Sequence, residues 1–136
     1  MAEAKYADVT YKIIGAFFKV YNTLGYGFLE KVYQNALVIE LLALGLMVEV
    51  QKQIPVFYAG KMIGEYYADI VVNGVVIVEL KAVSQLLPEH EAQLLNYLKA
   101  TPIEVGLLLN FGPKAQHERK VYDNELKGPM SWTRPS

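Results

Sequence analysis

Three charged side chains interrupt two apolar runs in the middle of the chain, and their types and spacing suit metal-assisted chemistry. Asp69 lies in the first run, Glu79 and Lys81 lie in the second, and Asn73-Gly74 separates the runs. Val, Ile and Tyr on both sides of Asn-Gly predict a β-hairpin. A buried charge without a partner is costly, so these side chains need an explanation. Two carboxylates that meet across a hairpin could hold Mg²⁺ or Mn²⁺, and a neighbouring lysine could act on the attacking water or on a phosphate.

The register of this hairpin is predicted from its hydrophobic pattern. A three-residue loop with a bulge at Gly74 pairs Val71 with Val75. Two further pairs then follow, Asp69 with Ile77 and Tyr67 with Glu79. One face becomes continuous core, carrying Tyr66, Ala68, Ile70, Val72, Val76, Val78, Leu80 and Ala82. The other face carries Glu65, Tyr67, Asp69, Glu79 and Lys81, so this register brings the charged side chains together, whereas a one-residue slip would mix charge with apolar groups.

Composition indicates an ordinary globular domain. The 136 residues are 53% hydrophobic and 20% charged, which predicts one domain over 1–127 and a loose tail over 128–136. No apolar run reaches the length of a membrane span, and the N-terminus lacks the apolar segment of a signal peptide. The absence of cysteine excludes disulfides and is typical of a cytoplasmic protein. The net charge of −1 gives no overall attraction to phosphates, so a nucleic-acid binder would need a local basic surface.

Hydrophobic periodicity predicts the elements that position these residues. Helices are expected over about 8–24, 28–44 and 88–100, with Pro88 at the first position of the third. Strands are expected over 46–53, 54–59, the hairpin, 104–111 and, as a strand or a helical turn, 118–122. The second helix should bury Leu29, Val32, Ala36, Leu37, Leu41 and Leu44. This order predicts a mixed sheet with helices on both faces and a parallel crossover through the third helix.

Further motifs give the chain a family resemblance. The segment 27–33 reads Gly-Phe-Leu-Glu-Lys-Val-Tyr, and 90–98 reads His-Glu-Ala-Gln-Leu-Leu-Asn-Tyr-Leu. Together with Tyr67-Ala68-Asp69 and Val78-Glu79-Leu80-Lys81-Ala82, they resemble the PD-(D/E)XK nuclease superfamily, and more closely its GxxExxY family. The second segment is similar to the Gln-x-x-x-Tyr helix of RecB-type nucleases. The resemblance covers about 6–122 and implies an α/β, restriction-endonuclease-like fold.

The resemblance also implies roles for individual residues. Asp69 and Glu79 would hold Mg²⁺ or Mn²⁺, and Lys81 would act in catalysis. Glu30 would be a further metal or water ligand, and Gln93 would support the site. Tyr97, Tyr33 and His90 are predicted substrate contacts. Simple packing of the two tyrosines and a solvated helix position for His90 are the alternatives for this last group.

The predicted function is that of a metal-dependent nuclease that hydrolyses phosphodiester bonds of nucleic acid, DNA rather than RNA. The alternative is a non-catalytic module on the same fold that binds nucleic acid or a protein partner. Hydrolysis of another phosphoester stays open. A homodimer is compatible with the small size of the chain, since one copy offers little surface for gripping a duplex.

Overall fold

Two amphipathic helices begin the described part of the chain. The computed structural model describes residues 4–128. Helix α1 is Ala7–Leu24, and helix α2 is Glu30–Ala43. Gly25 ends α1 with a positive φ of 67°, and its N–H donates to the carbonyl of Tyr21. Both helices were predicted from their periodicity, and their apolar faces share one hydrophobic cluster.

A five-stranded sheet follows, in the order β1-β2-β3-β4-β5. Its strands are β1 Val48–Tyr58, β2 Lys61–Val72, β3 Val76–Lys81, β4 Val105–Phe111 and β5 Ala115–Val121. Helix α3, Pro88–Lys99, joins β3 to β4, and these two strands are parallel, whereas the other neighbours are antiparallel. A short 3₁₀ helix, Asn124–Leu126, comes after β5. The mixed sheet and the parallel crossover are therefore confirmed.

The sheet separates two hydrophobic cores. Helices α1 and α2 cover one face, where Phe17, Leu37 and Ile70 are fully buried. Helix α3 covers the other face, where Leu94 and Leu98 pack on residues of β2, β3 and β4. Because a β-strand points successive side chains to opposite faces, the fully buried strand β4 supplies both cores. Helices on both faces of the sheet are what the order of elements predicted.

The hairpin register differs from the prediction by one residue on each strand. The loop has three residues, as predicted, but Val72 pairs with Val76 and Val71 with Ile77. Asn73 and Gly74 both have positive φ, and this places the turn one residue later than predicted. Because both strands move together, Ile70, Val72, Val76 and Val78 keep the predicted face. The register now places Asp69 level with Glu79 instead of Ile77, just beyond the last paired residues, Ile70 and Val78.

Other boundaries also needed correction. β1 is one strand where two were predicted, and the last strand begins at Ala115, earlier than predicted. Leu29, Val32 and Leu44, expected to be buried by α2, are exposed. No helix within residues 4–128 is both long and apolar enough to cross a membrane. Most of the predicted tail, 129–136, lies outside the described residues.

Candidate metal centre and active site

The carboxylates of Asp69 and Glu79 meet where β2 and β3 separate. Regular backbone pairing between these strands stops at Ile70 and Val78. Beyond that point the Asp69 N–H donates to Glu79 Oε2 at 3.0 Å, and the Leu80 N–H donates to Asp69 Oδ2 at 2.8 Å. Each carboxylate thus replaces a backbone carbonyl as the acceptor for the other strand. Buried backbone N–H groups need a partner, and here the site residues provide it.

Strand β2 changes the faces of its side chains at Asp69. Ile70 is buried with α1 and α2, whereas Ala68 is buried beneath α3. In a regular strand these residues, two apart, would share a face. The predicted continuous core face is therefore wrong at Ala68 and at Tyr66, whose ring lies 5.5 Å from that of Tyr97 on α3. The change of face occurs where β2 and β3 stop pairing and where β1 carries the left-handed residue Gln51.

Ionisation of Glu79 is unfavourable because its carboxyl group is buried and lies close to that of Asp69. Its side chain is only 4% exposed. Burial in the first place, and then the adjacent Asp69 carboxyl group, raise the pKa of Glu79 to about 9, while the positive charge of Lys81 acts in the opposite direction. A cation placed between the carboxylates would remove their repulsion and favour ionised Glu79.

Lys81 is joined to α3 through a chain of polar contacts. Its Nζ donates to Gln93 Oε1 at 3.4 Å, and Gln93 Nε2 donates to the hydroxyl of Tyr97 at 3.1 Å. Gln93 and Tyr97 lie one helical turn apart, so they project from the same side of α3. Burial, and then the negative charge of Glu79 and Asp69, raise the pKa of Tyr97 to about 12. These contacts put three of the predicted site residues beside the carboxylate pair.

Glu30 and His90 approach the same site from the starts of two helices. Desolvation raises the pKa of Glu30 although solvent reaches its side chain, while Lys81 and His90 lower it and Asp69 raises it further. The charges of Lys81, Asp69 and His90 thus all act on the Glu30 carboxyl group. His90 Nδ1 accepts the N–H of Leu87 at 3.0 Å. His90 therefore caps the first turn of α3 with one of its two ring nitrogens.

Tyr33 is a structural residue of the loop before Glu30. Its ring is fully buried and stacks on Phe111 at 4.3 Å. The hydroxyl donates to the carbonyl of Gly25 at 2.6 Å and accepts the N–H of Phe28 at 3.2 Å. A direct contact between Tyr33 and a substrate, which the sequence analysis proposed, is therefore corrected: the ring has no free surface, and the hydroxyl holds the loop.

The contacts of Tyr33 explain the spacing of Gly-x-x-Glu-x-x-Tyr in physical terms. Gly27 has a φ of 114°, a conformation that residues with a side chain rarely adopt. Glu30 then begins α2, and Tyr33, one turn later, ties the helix back to the loop. The glycine allows the turn and the tyrosine fixes it, so the first turn of α2, which carries Glu30, has a defined position.

Sequence analysis missed three amides near the site. Gln51 Nε2 lies 2.9 Å from Gln34 Oε1 and 3.4 Å from Asp69 Oδ1. Asn110 is fully buried at the end of β4, and its amide binds the backbone of Val83 in the connection between β3 and α3. Asn110 Oδ1 accepts the N–H of Val83, and Asn110 Nδ2 donates to the carbonyl of Val83, both at 3.0 Å. Only Asn110 had a signal in the sequence, since it is the one polar residue in the apolar run 105–111.

The donor set fits a hard divalent cation in part. Two carboxylates supply oxygen ligands of the kind that Mg²⁺ and Mn²⁺ accept, and Mg²⁺ commonly takes its other ligands from water and substrate phosphates. Within residues 4–128, no group of three or more acidic, histidine or cysteine side chains is arranged around a common point. The carboxylate pair can therefore hold a metal that substrate and water help to coordinate, but it does not form a closed cage.

A cavity of about 350 Å³ lies away from these residues. It is lined mainly by apolar side chains of β1 and of the turn after α3, including Ile54, Phe57 and Ile103. None of the predicted site residues lines it. Two of its polar lining residues, Glu49 and Lys52, form an ion pair with each other.

Comparison with known proteins agrees with this geometry. A sequence model of the PD-(D/E)XK nuclease superfamily matches residues 7–121. No curated protein and no solved structure shows a significant match. The matched span runs from α1 to β5, and the mixed five-stranded sheet with its three helices is consistent with a restriction-endonuclease-like fold. The chain belongs to the PD-(D/E)XK nuclease superfamily.

Proposed function

We propose that this protein is a divalent-metal-dependent nuclease that hydrolyses phosphodiester bonds of nucleic acid. The observation that carries the proposal is the meeting of Asp69 and Glu79 across the opened β2–β3 pair, with Lys81 beside them. Nucleases of this superfamily generally use divalent metals and act on nucleic acid. The closer resemblance to the GxxExxY family, and DNA as the substrate in preference to RNA, are part of the proposal.

Each site residue has a proposed role that its contacts support. Asp69 and Glu79 hold Mg²⁺ or Mn²⁺, which supplies an activated water and neutralises charge on the phosphate. Lys81, held by Gln93, orients the attacking water or binds the phosphate. Glu30 is a further ligand of metal or water, and the charges of Lys81 and Asp69 both act on its carboxyl group.

Two other residues are proposed to contact the substrate or to support the site. Tyr97 stabilises Gln93 through its hydroxyl and lies at the edge of the site. His90 keeps Nε2 as the ring atom with which to meet a nucleic-acid phosphate, because Nδ1 already accepts the N–H of Leu87. Together these roles would place substrate along α3, from His90 in its first turn to Tyr97 in its last.

Metal binding is the first test of the proposal. Calorimetric titration of Mn²⁺ should give binding by the wild type and none by Asp69→Ala, because the substitution removes one of the two carboxylates. Asp8→Ala, the same change in the first turn of α1, is a matched control and should leave binding intact. Equal binding by Asp69→Ala and the wild type would contradict the proposed centre.

Cleavage is the second test. Labelled single-stranded and duplex DNA and RNA should be incubated with Mg²⁺ or Mn²⁺, with EDTA as the metal-free control. Replacing Lys81 by Met should lower the rate by roughly 100-fold or more if it acts in proton transfer. Lys12→Met, an exposed change on α1, should have no effect. A wild-type protein that binds Mn²⁺ but cuts none of these substrates would contradict the nuclease proposal.

A non-catalytic binding module is the second candidate. It is favoured by the net charge of −1 and by the salt bridges that join Lys5, Lys19, Lys52 and Lys120 to carboxylates. Binding of the same nucleic acids should be measured across a salt series in Ca²⁺, which is used to prevent cutting. Salt-dependent binding without cleavage in Mg²⁺ or Mn²⁺ would favour this module, whereas affinity that does not change with salt would argue against phosphate contacts.

A further inference from the structure

Gln51 has an unusual backbone conformation directly beside Asp69. The β1–β2 ladder pairs Val50 with Ile70 and Lys52 with Ala68, so Gln51 lies across from Asp69. Its φ is 51°, in the left-handed region, although the residue lies inside a strand. L-residues with long side chains rarely adopt this conformation, and such residues collect at functional sites. The backbone of Gln51 therefore departs from regular strand geometry at the position that faces the site.

Gln34 carries a second unfavourable feature at the same place. This residue of α2 is 5% exposed, and its Oε1 accepts from Gln51 Nε2 at 2.9 Å. Its own Nε2 is buried and finds no hydrogen-bond acceptor among residues 4–128. Buried amide groups are normally paired, and an unpaired one reduces stability. A leucine at this position would fill a similar volume without that loss.

The two glutamines together restrict the carboxylate of Asp69. Gln34 accepts one N–H of the Gln51 amide, and this contact orients the amide so that Nε2 also faces Asp69 Oδ1 at 3.4 Å. The other carboxylate oxygen, Oδ2, accepts the N–H of Leu80 at 2.8 Å. With one donor on each oxygen, rotation of the carboxylate is limited. Groups that orient a metal ligand in this way tune its affinity for the metal.

We propose that Gln51 is a positioning residue for Asp69 and that Gln34 fixes the orientation of the Gln51 amide. This inference rests on the proposed metal centre at Asp69 and Glu79. Neither glutamine touches the metal or the substrate in this scheme. Both act through Asp69. Gln51 keeps a left-handed conformation and Gln34 keeps a buried unpaired amide, and both features lower stability but serve the site.

The test compares metal affinity with stability in the same variants. Gln51→Gly removes the amide and tolerates the left-handed conformation, and Gln34→Leu removes the buried unpaired amide. In EDTA, neither variant should have a lower melting temperature than the wild type. In Mn²⁺ calorimetry, both should bind the metal about 10–100-fold more weakly, as is usual when a partner of a metal ligand is lost.

Gln53→Gly is the matched control, since it makes the same change two residues further along β1. The left-handed residues of the described chain do not include Gln53, so glycine there should lower the melting temperature by increasing the freedom of the unfolded chain. Its Mn²⁺ affinity should equal that of the wild type. The control is therefore expected to lose melting temperature and keep its Mn²⁺ affinity, whereas the two test variants should keep their melting temperature and lose Mn²⁺ affinity.

Three results would overturn the inference. Undiminished Mn²⁺ affinity in both test variants, with binding by the wild type, would exclude a positioning role while leaving the proposed metal centre intact. A lower melting temperature in both test variants would show that the glutamines serve stability instead. Absence of Mn²⁺ binding by the wild type would remove the metal centre itself, and the positioning role with it.

Discussion

Replacing Glu79 by Gln should make the metal-free protein more stable. Glu79 is almost fully buried, accepts the N–H of Asp69 and lies beside the Asp69 carboxyl group. Glutamine has nearly the same shape, keeps an oxygen for that N–H and can turn an amide donor toward Asp69. At pH 7 the folded protein must protonate Glu79 to keep it beside Asp69, whereas glutamine is neutral and needs no proton.

The size of the gain can be worked out from the pKa of Glu79. Burial and Asp69 raise this pKa from 4.5 to about 9. Between those values the folded protein holds a proton that the unfolded chain releases, so stability is fully present below pH 4.5 and falls as the pH rises toward 9. At about 1.4 kcal/mol per pH unit, the loss at pH 7 is about 3 kcal/mol as an upper bound. Glu79→Gln should recover about 1–3 kcal/mol at pH 7, and less than about 1 kcal/mol at pH 5.

Urea unfolding followed by circular dichroism, in EDTA at pH 5, 7 and 8, measures this difference. Glu118→Gln is the control, since it makes the same change at an exposed position of β5 and should alter stability little at any of these pH values. A Glu79→Gln protein that is less stable than the wild type at pH 7 would refute the reasoning. A gain that is equal at pH 5 and pH 8 would also refute it, because the proposed cause is titration of Glu79.

Two further substitutions test the supports of the site. Asn110→Ala should lower the free energy of unfolding by about 3 kcal/mol, because it removes three hydrogen bonds and leaves both backbone groups of Val83 without this partner. The control is Asn96→Ala, at an exposed position of α3, which should change the free energy of unfolding little in the same urea measurement. Gly27→Ala should cost about 1–3 kcal/mol, because its φ of 114° is strained for alanine. Gly15→Ala in the middle of α1 should instead stabilise by about 1 kcal/mol, since its surroundings are open, and equal effects of the two glycine substitutions would contradict the strain at Gly27.

Regular periodic patterns explain how much of the fold could be predicted. The three helices and the buried strand β4 have strong apolar periodicity or a continuous apolar run, and their positions were predicted within a few residues. Asp69 and Glu79 were brought together although the register was wrong, because shifting both strands by one residue keeps their alternation in step up to Ile70 and Val78, the neighbours of the two carboxylates. The same reasoning holds for Gln93 and Tyr97, whose spacing fixes a common side of a helix wherever that helix packs.

The remaining features depend on contacts that leave no period in the sequence. Leu29 continues the apolar pattern of α2, yet the helix begins one residue later and Leu29 is 79% exposed. Tyr33 is of a residue type that often occurs in binding sites, but its position is fixed by hydrogen bonds to Gly25 and Phe28 in the loop before it. Gln34 and Gln51 are ordinary polar residues by type, and only the assembled fold shows that one is buried and the other left-handed.

Three departures from regular structure meet at Asp69. In a regular antiparallel pair, opposed carboxylates would stand side by side on one face, about 5 Å apart at Cβ, with the backbone groups of both strands paired to each other. Here the pairing between β2 and β3 stops, the side chains of β2 change from one face of the sheet to the other, and the backbone of Gln51 is left-handed. The opening lets each carboxylate take a backbone N–H from the other strand and leaves oxygen atoms for a cation. A prediction from alternation must fail at this point, because the regular hairpin that alternation describes would not build the site.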